Sequence, residues 1–188
     1  MRTSVRSGAG LVLRRWGAAD AAAVRGAFDE PQMRQQSREP VECDASAARW
    51  IEDRVREWDE GSGFAFAVVD RDGGVVGNMA VGSVNRAHRV GWVSYWTTAA
   101  ARGRGVAAEA CRTVSEWAFR DAELFRLEIG HRTNNTASCR VALAAGYAVE
   151  GWQRQKLEYD GVRHDVELHA RLATDAAPSA THRRPRPA

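Results

Sequence analysis

The change of hydrophobic period across residues 91–120 constrains this chain more than any other feature. Residues 91–97 (GWVSYWT) are few, aromatic and β-branched, the composition of a strand. From Ala107 the apolar positions take a helical spacing: Ala107, Ala110, Cys111, Val114, Trp117 and Ala118 share one face, with Glu109, Arg112, Glu116 and Arg120 opposite. Between strand and helix the chain must turn, and the turn reads RGRGVA, residues 102–107. A helix start leaves about four backbone N–H groups without intrahelical acceptors and carries roughly half a unit of positive charge, so it stabilises an anion. Gly103 and Gly105 have no Cβ to hold phosphate oxygens away and can adopt positive φ, while Arg102 and Arg104 offer charge-assisted hydrogen bonds. Taken alone, the stretch is equally readable as an ordinary glycine turn with solvated arginines.

Other phosphate motifs do not fit. A nucleoside-triphosphate loop needs G-x-x-x-x-G-K-[ST], and the only lysine is Lys156, outside any such pattern. A dinucleotide fingerprint starting at Gly103 and Gly105 reaches Ala108 where the third glycine belongs. It would also need a preceding βαβ unit, whereas residues 64–70, the turn RDGG, and residues 75–83 read as an antiparallel hairpin.

With 188 residues, 44% of them hydrophobic, and no apolar run near 18 residues, the chain is expected to be one soluble domain, without a membrane span or signal peptide. Cys43, Cys111 and Cys139 are odd in number and lack C-x-x-C spacing, so neither a disulfide framework nor a metal site is expected, and a reducing cytoplasm fits. The formal charge of +3 is an effect of the ends. Arg2 and Arg6 at one end, and Arg183, Arg184 and Arg186 against Asp175 at the other, account for all of it, so the body carries no basic excess and no nucleic-acid partner is expected. Residues 1–10 are read as a flexible terminus, 11–172 as the folded domain, and 173–188 as a disordered Pro/Ala/Arg tail.

Within the domain the pattern predicts a strand at 11–16, a helix at 18–28, and a second helix at 47–58 with Asp44 or Ser46 as N-cap. After the hairpin, the strand at 90–97, the glycine loop and its helix come a strand at 126–131 and a helix at 136–145 closed by Gly146. A last strand pair, 149–157 and 164–172, is joined through Asp160-Gly161. The fold class is α/β in the mixed α+β sense: a mostly antiparallel sheet with helices on both faces.

These pieces resemble the GNAT acyltransferase superfamily, in its RimJ/RimL-like N-acetyltransferase branch, over about residues 11–172. The superfamily's [QR]-x-x-G-x-[GA] loop is filled by Arg102, Gly105 and Ala107. The W-A-F helix end, the N-x-A-S turn and the G-[FY]-x-x-E-G closure follow in order as Trp117-Ala118-Phe119, Asn135-Thr136-Ala137-Ser138 and Gly146 to Gly151. The resemblance implies that the backbone of Gly103, Arg104, Gly105, Val106 and Ala107 holds the diphosphate of acetyl-CoA. It implies that the pantetheine arm pairs with backbone near Trp96, Thr97 and Thr98 where two strands splay, and that Asn135 bonds this arm; helix N-capping is the rival role for Asn135.

The reaction implied is direct acyl transfer from a thioester to an amine-bearing acceptor, a protein N-terminus or a small molecule. A backbone N–H near Trp96 or Thr97 serves the oxyanion. Many relatives carry a tyrosine as acid seven residues after the asparagine, where this chain has Ala142, so Ser138 is the expected acid; a serine bonding its own helix turn is the alternative. A glutamate frequent in relatives is replaced by Trp92, which leaves His131, Glu150, Glu158, His164, Asp165 or water as base. Alternation puts Trp92, Ser94 and Trp96 on one face, either an acceptor wall or core. With those two family residues missing, an acyl-CoA-sensing or partner-binding module without catalysis is the alternative function, and the oligomeric state, a homodimer included, stays open.

Overall fold

The computed structural model describes residues 1–31, 33, 37 and 39–177. The elements run β1 (Ser4–Arg6), β2 (Val12–Arg15), a single 3-10 turn, α1 (Ala21–Phe28), α2 (Asp44–Glu60), β3 (Phe64–Val69), β4 (Val75–Asn85) and β5 (Val90–Thr97). A second 3-10 turn (Ala99–Ala101) is followed by α3 (Val106–Arg120), β6 (Arg126–Arg132), α4 (Thr136–Ala144), β7 (Ala148–Tyr159) and β8 (Val162–Leu172). All eight strands form one sheet in the order β1-β2-β3-β4-β5-β6-β8-β7. Only β5 and β6 pair in parallel, because α3 lies between them as a crossover.

Both sheet faces are covered, which is why β3 (FAFAVV) is a continuous apolar run buried at every position. Phe64, Phe66 and Val68 face a core shared with α3 and α4, where Trp117 packs at 4.9–5.5 Å between ring centroids against Trp58, Phe64 and Phe66. Ala65, Ala67 and Val69 face a second core under α1 and α2, where Trp16, Phe28, Trp50 and Trp96 meet. Within it Trp16, just past β2, donates its Nε1 to Asn78 Oδ1 of β4 at 2.9 Å.

Two expectations need correction. Residues 4–6 are not a loose terminus: they pair antiparallel with β2, and the Arg2 guanidinium grips Asp121 at 2.9 Å while the Arg2 carbonyl accepts from Trp117 Nε1. A three-residue strand with one apolar side chain carries no periodic signal, so these long-range partners make it. The start of α2 also differs: Cys43 is the N-cap, and Ser46 reaches back from the first turn to accept from the N–H of Cys43 at 3.0 Å. Of the expected tail, residues 178–188 lie outside the described residues.

Candidate functional site

The β5–β6 ladder is short. It holds at Val90, Gly91 and Trp92 against Arg126, Leu127 and Glu128, and then the strands part, although β5 runs on to Thr97 and β6 to Arg132. On its other side β5 stays paired with β4 from Trp92 to Thr97, and Thr98 N–H continues that ladder to Val76 O at 3.0 Å. Backbone direction alternates along a strand, so Trp96, like Thr98, turns its N–H toward β4, while Tyr95 and Thr97 turn theirs into the opening. This corrects the expectation for backbone pairing: of Trp96, Thr97 and Thr98, only Thr97 faces the opening, and Tyr95 joins it.

The glycine loop closes the wide end. Gly103 (φ 73°) and Gly105 (φ 78°) both hold the left-handed region, and a Cβ on either would meet nothing within 4 Å. The glycines are thus demanded by backbone conformation, and the space before them is open. Gly105 is the N-cap of α3 and its carbonyl takes the first helical bond, from Glu109 N–H. Among the described residues, no protein acceptor bonds the N–H groups of residues 103–108. Unmatched donors at a helix start, with open space at both glycines, fit a diphosphate.

The two loop arginines behave differently. Arg102 turns back from the loop: its guanidinium pairs with Glu30 and bonds Thr97 O at 3.3 Å, and the other Glu30 oxygen accepts from Ala99 N–H at 2.9 Å. Arg102 therefore braces the turn before the loop, contrary to its expected place on the phosphates. Glu30, which no motif marked, is its partner. Arg104 is exposed in the loop, with no ion pair among the described residues.

Across the opening, α4 presents Asn135 and Ser138. Asn135 is the helix N-cap, its Oδ1 accepting from Ser138 N–H at 3.1 Å. The capping role thus takes the oxygen, and the amide NH2 has no partner among the described residues. The half-buried Ser138 lies next to Tyr95, whose buried hydroxyl completes no hydrogen bond of good geometry. Burial pushes the Tyr95 phenol up to about 12, with Ser138 pulling weakly the other way. The phenol therefore keeps its proton and faces the same helix turn as Ser138.

Most of the candidate bases are engaged elsewhere. Glu150 is clamped by Arg126, which holds its carboxyl below the usual carboxylate range, and Glu158 pairs with Arg163 at 2.6 Å. Asp165 accepts from Gln155 N–H at 2.8 Å, and His164 stacks beside Tyr159. His131 is buried on β6 and meets His169 and Glu167 of β8. No spacing rule links those positions, so the sequence reading had no means to find the group.

On the opposite face of β5 a cavity of about 620 Å³ opens beneath α2. Ser94 and Trp96 from β5, Asn78 and Ala80 from β4, and Trp50, Arg49 and Arg54 from α2 line it. Trp96 is at once core and wall: it is 6% exposed and packs on Trp16, Phe28 and Trp50, yet its Nε1, like that of Trp50, is a buried donor with no partner among the described residues.

An open-edged strand pair, a glycine loop at a helix start and a cavity across the sheet thus lie together on one domain. The chain belongs to the acetyltransferase (GNAT) domain family, whose model matches residues 10–148. It is 31% identical over 105 residues to "Probable N-acetyltransferase YjcK" of Bacillus subtilis, over 55% of this chain and 58% of that protein. The chain spans little more than half the length of the curated relatives it matches at this level. Among solved structures it is similar to RimJ of Mycobacterium smegmatis in complex with CoA-disulfide, with a TM-score of 0.80 and 25% identity over 93% of this chain and 89% of that one. RimL, a ribosomal L7/L12 alpha-N-protein acetyltransferase in complex with coenzyme A, shares the fold at a TM-score of 0.83 and 18% identity, over 90% of this chain and 97% of that one. Among the described residues, no helix is long and apolar enough to cross a membrane.

Proposed function

We propose that this chain is an N-acyltransferase that moves an acetyl group from acetyl-CoA to a primary amine, either a protein N-terminal α-amine or a small-molecule amine, by direct transfer in the cytoplasm. One observation carries the reading: the unpaired edges of β5 and β6 lead into the unbonded N–H groups of residues 103–108. An arm built of amide units can pair with such an edge while its diphosphate sits on the loop, and coenzyme A has that construction. The relatives crystallised with coenzyme A point the same way.

The bound coenzyme supplies an acyl group activated as a thioester. In this reading the backbone of Gly103, Arg104, Gly105, Val106 and Ala107 binds the diphosphate, with Arg104 adding charge. Thr97 and Tyr95 N–H hold the amide arm and offer a donor to the acyl oxygen, where charge develops as the amine attacks. The Asn135 amide bonds the arm from the α4 side. Water takes up the proton that the attacking amine loses; Ser138 donates the proton that the departing thiolate takes up and regains one from solvent, and Tyr95, kept protonated by burial, stands behind it. The acceptor enters through the α2-side cavity, where Trp50 and Trp96 offer apolar surface to the first residues of a peptide N-terminus.

The test is to incubate the purified chain with acetyl-CoA, N-terminal peptides and small amines while following free thiol. Thiol release that depends on an amine, with acetylated product by mass, is the expected result. Coenzyme binding without thiol release across a broad panel overturns the transfer and leaves a sensing module.

A further inference from the structure

His131 on β6, Cys139 on α4, and Glu167 and His169 on β8 turn their ligating atoms into one small volume, all within 4.8 Å of one another. His131 Nε2 and His169 Nε2 are 2.9 Å apart, and Glu167 Oε1 lies 2.8 Å from His169 Nε2, 3.6 Å from His131 Nε2 and 3.4 Å from Cys139 Sγ. A tetrahedral zinc site with bonds of about 2.0–2.1 Å to nitrogen and about 2.3 Å to sulfur has ligand edges of about 3.3–3.6 Å. Two of these four separations match those edges and the two around His169 Nε2 are shorter, so that nitrogen must shift outward to admit the ion. We propose that it binds one thiophilic divalent cation of the zinc class, as a closed site that clips the first turn of α4 to β6 and β8.

The protonation pattern supports this. His131 Nδ1 lies 3.0 Å from the Arg132 carbonyl, which can only accept, so Nδ1 carries the proton and Nε2 presents a bare lone pair to the cluster. That tautomer, fixed by a backbone carbonyl, is the one a metal-ligating histidine uses. His169 is fully buried, and its Nδ1 has no partner among the described residues. Ligation requires its proton to move from Nε2 to Nδ1, where no described residue accepts it, so the bond to the cation must outweigh one buried N–H left without an acceptor. The remaining Glu167 oxygen accepts from Trp152 Nε1 at 3.1 Å and so orients the carboxylate. Two imidazoles, a thiolate and one carboxylate oxygen favour zinc over magnesium or calcium, which take oxygen ligands. On binding, Cys139 releases its thiol proton to solvent, so affinity rises with pH.

The cation ties down a specific turn, since Cys139 directly follows Ser138 and the Asn135 cap holds the same turn. This inference stands apart from the acyl-transfer reading. The full chain, stripped with a chelator, is titrated with cobalt(II) and then zinc. One equivalent of cobalt gives the visible bands of a tetrahedral site and a thiolate charge-transfer band, zinc displaces it, and zinc raises the melting temperature. Cys139→Ser removes the charge-transfer band, Cys43→Ser keeps it, and Glu167→Gln lowers zinc affinity by more than about tenfold. Glu167→Gln preserves side-chain shape, so the readout survives if a histidine variant does not fold. No stoichiometric cobalt band, a band that outlasts Cys139→Ser, or equal zinc affinity in wild type and Glu167→Gln overturns the site.

Discussion

Replacing Gly105 by alanine isolates the loop's contribution to binding. Gly105 sits at φ 78° and ψ 0° at the N-cap of α3, and an added Cβ would meet no protein atom within 4 Å. The structural cost is therefore backbone strain alone, about 1–2 kcal/mol for a non-glycine residue in the left-handed region. In the free protein this exposed residue escapes the strain by moving to negative φ, which swings the Val106 N–H away from the concavity. Binding must restore the conformation, so the strain appears in affinity: at about 1.4 kcal/mol per tenfold, coenzyme A binds about 5–30-fold more weakly. A methyl group where phosphate approaches adds to that loss. Gly73→Ala is the matched control, since Gly73 has φ 84°, also meets nothing within 4 Å, and lies in the β3–β4 turn far along the chain from the loop. Calorimetry with coenzyme A should separate the two variants, Gly73→Ala losing stability while keeping wild-type affinity. If Gly105→Ala binds coenzyme A as tightly as Gly73→Ala does, the loop is a turn and nothing more.

Three other perturbations have defined outcomes. Ser138→Ala should lower kcat by about 100-fold while coenzyme A affinity holds within about twofold, as removal of a proton donor requires, and Tyr95→Phe should lower kcat less; equal losses in turnover and affinity would reduce Ser138 to a positioning or capping role. Gly130→Ala should destabilise by about 1–3 kcal/mol, seen as a lower melting temperature, because the new Cβ would lie 2.7 Å from the Trp92 ring and 3.0 Å from Val166; Trp92→Ala in the same chain should recover part of the loss. Asp20 accepts from both Arg14 nitrogens at 2.7 and 2.8 Å and from Gly17 N–H at 3.0 Å, which lowers its carboxyl below the usual value of 3.8. Its stabilisation is fully present above that value and is lost as pH falls through the lowered one, so Asp20→Asn should cost on the order of 1 kcal/mol at pH 7 and next to nothing once the wild-type carboxylate is protonated, as denaturant midpoints at the two pH values would register.

Features legible in the sequence were those written locally. The RDGG turn set the β3–β4 hairpin, the switch from alternation to a helical period set the start of α3 within one residue, and Gly146, at φ 86°, closed α4. The splay between β5 and β6 is a different kind of object, a stretch where pairing stops, and no residue type encodes an unmade hydrogen bond; family resemblance alone pointed to it. The direction of Arg102 depended on Glu30, a partner far back in the chain that no spacing rule connects to the loop. The histidine cluster was invisible for the same reason, because Cys139 and Glu167 become neighbours only when α4 folds onto β8. Trp96 escaped the choice between core and wall because its indole packs on Trp16 and Phe28 and also lines the cavity.

In the proposed function, β5 sets the donor and acceptor sites opposite each other across a single strand. Its even-numbered residues give their backbone to β4 and their side chains, Ser94 and Trp96, to the cavity under α2. Its odd-numbered residues give their backbone to the opening and their side chains, Val93 and Tyr95, to the face shared with α3 and α4, where Ser138 waits. The proposed arm-binding backbone, the proton-holding phenol and the proposed acceptor wall are thus three outputs of one alternation, set by the register Asn78 to Trp96. A slip of one residue would exchange all three at once, bringing the indoles to Ser138 and the phenol to the cavity. The pressure on this register falls on Gly77: a Cβ there would lie 2.5 Å from Trp96 O, so β4 approaches β5 closely at the point where the strand leaves its other neighbour. That close contact on one side lets β5 stand unpaired on the other.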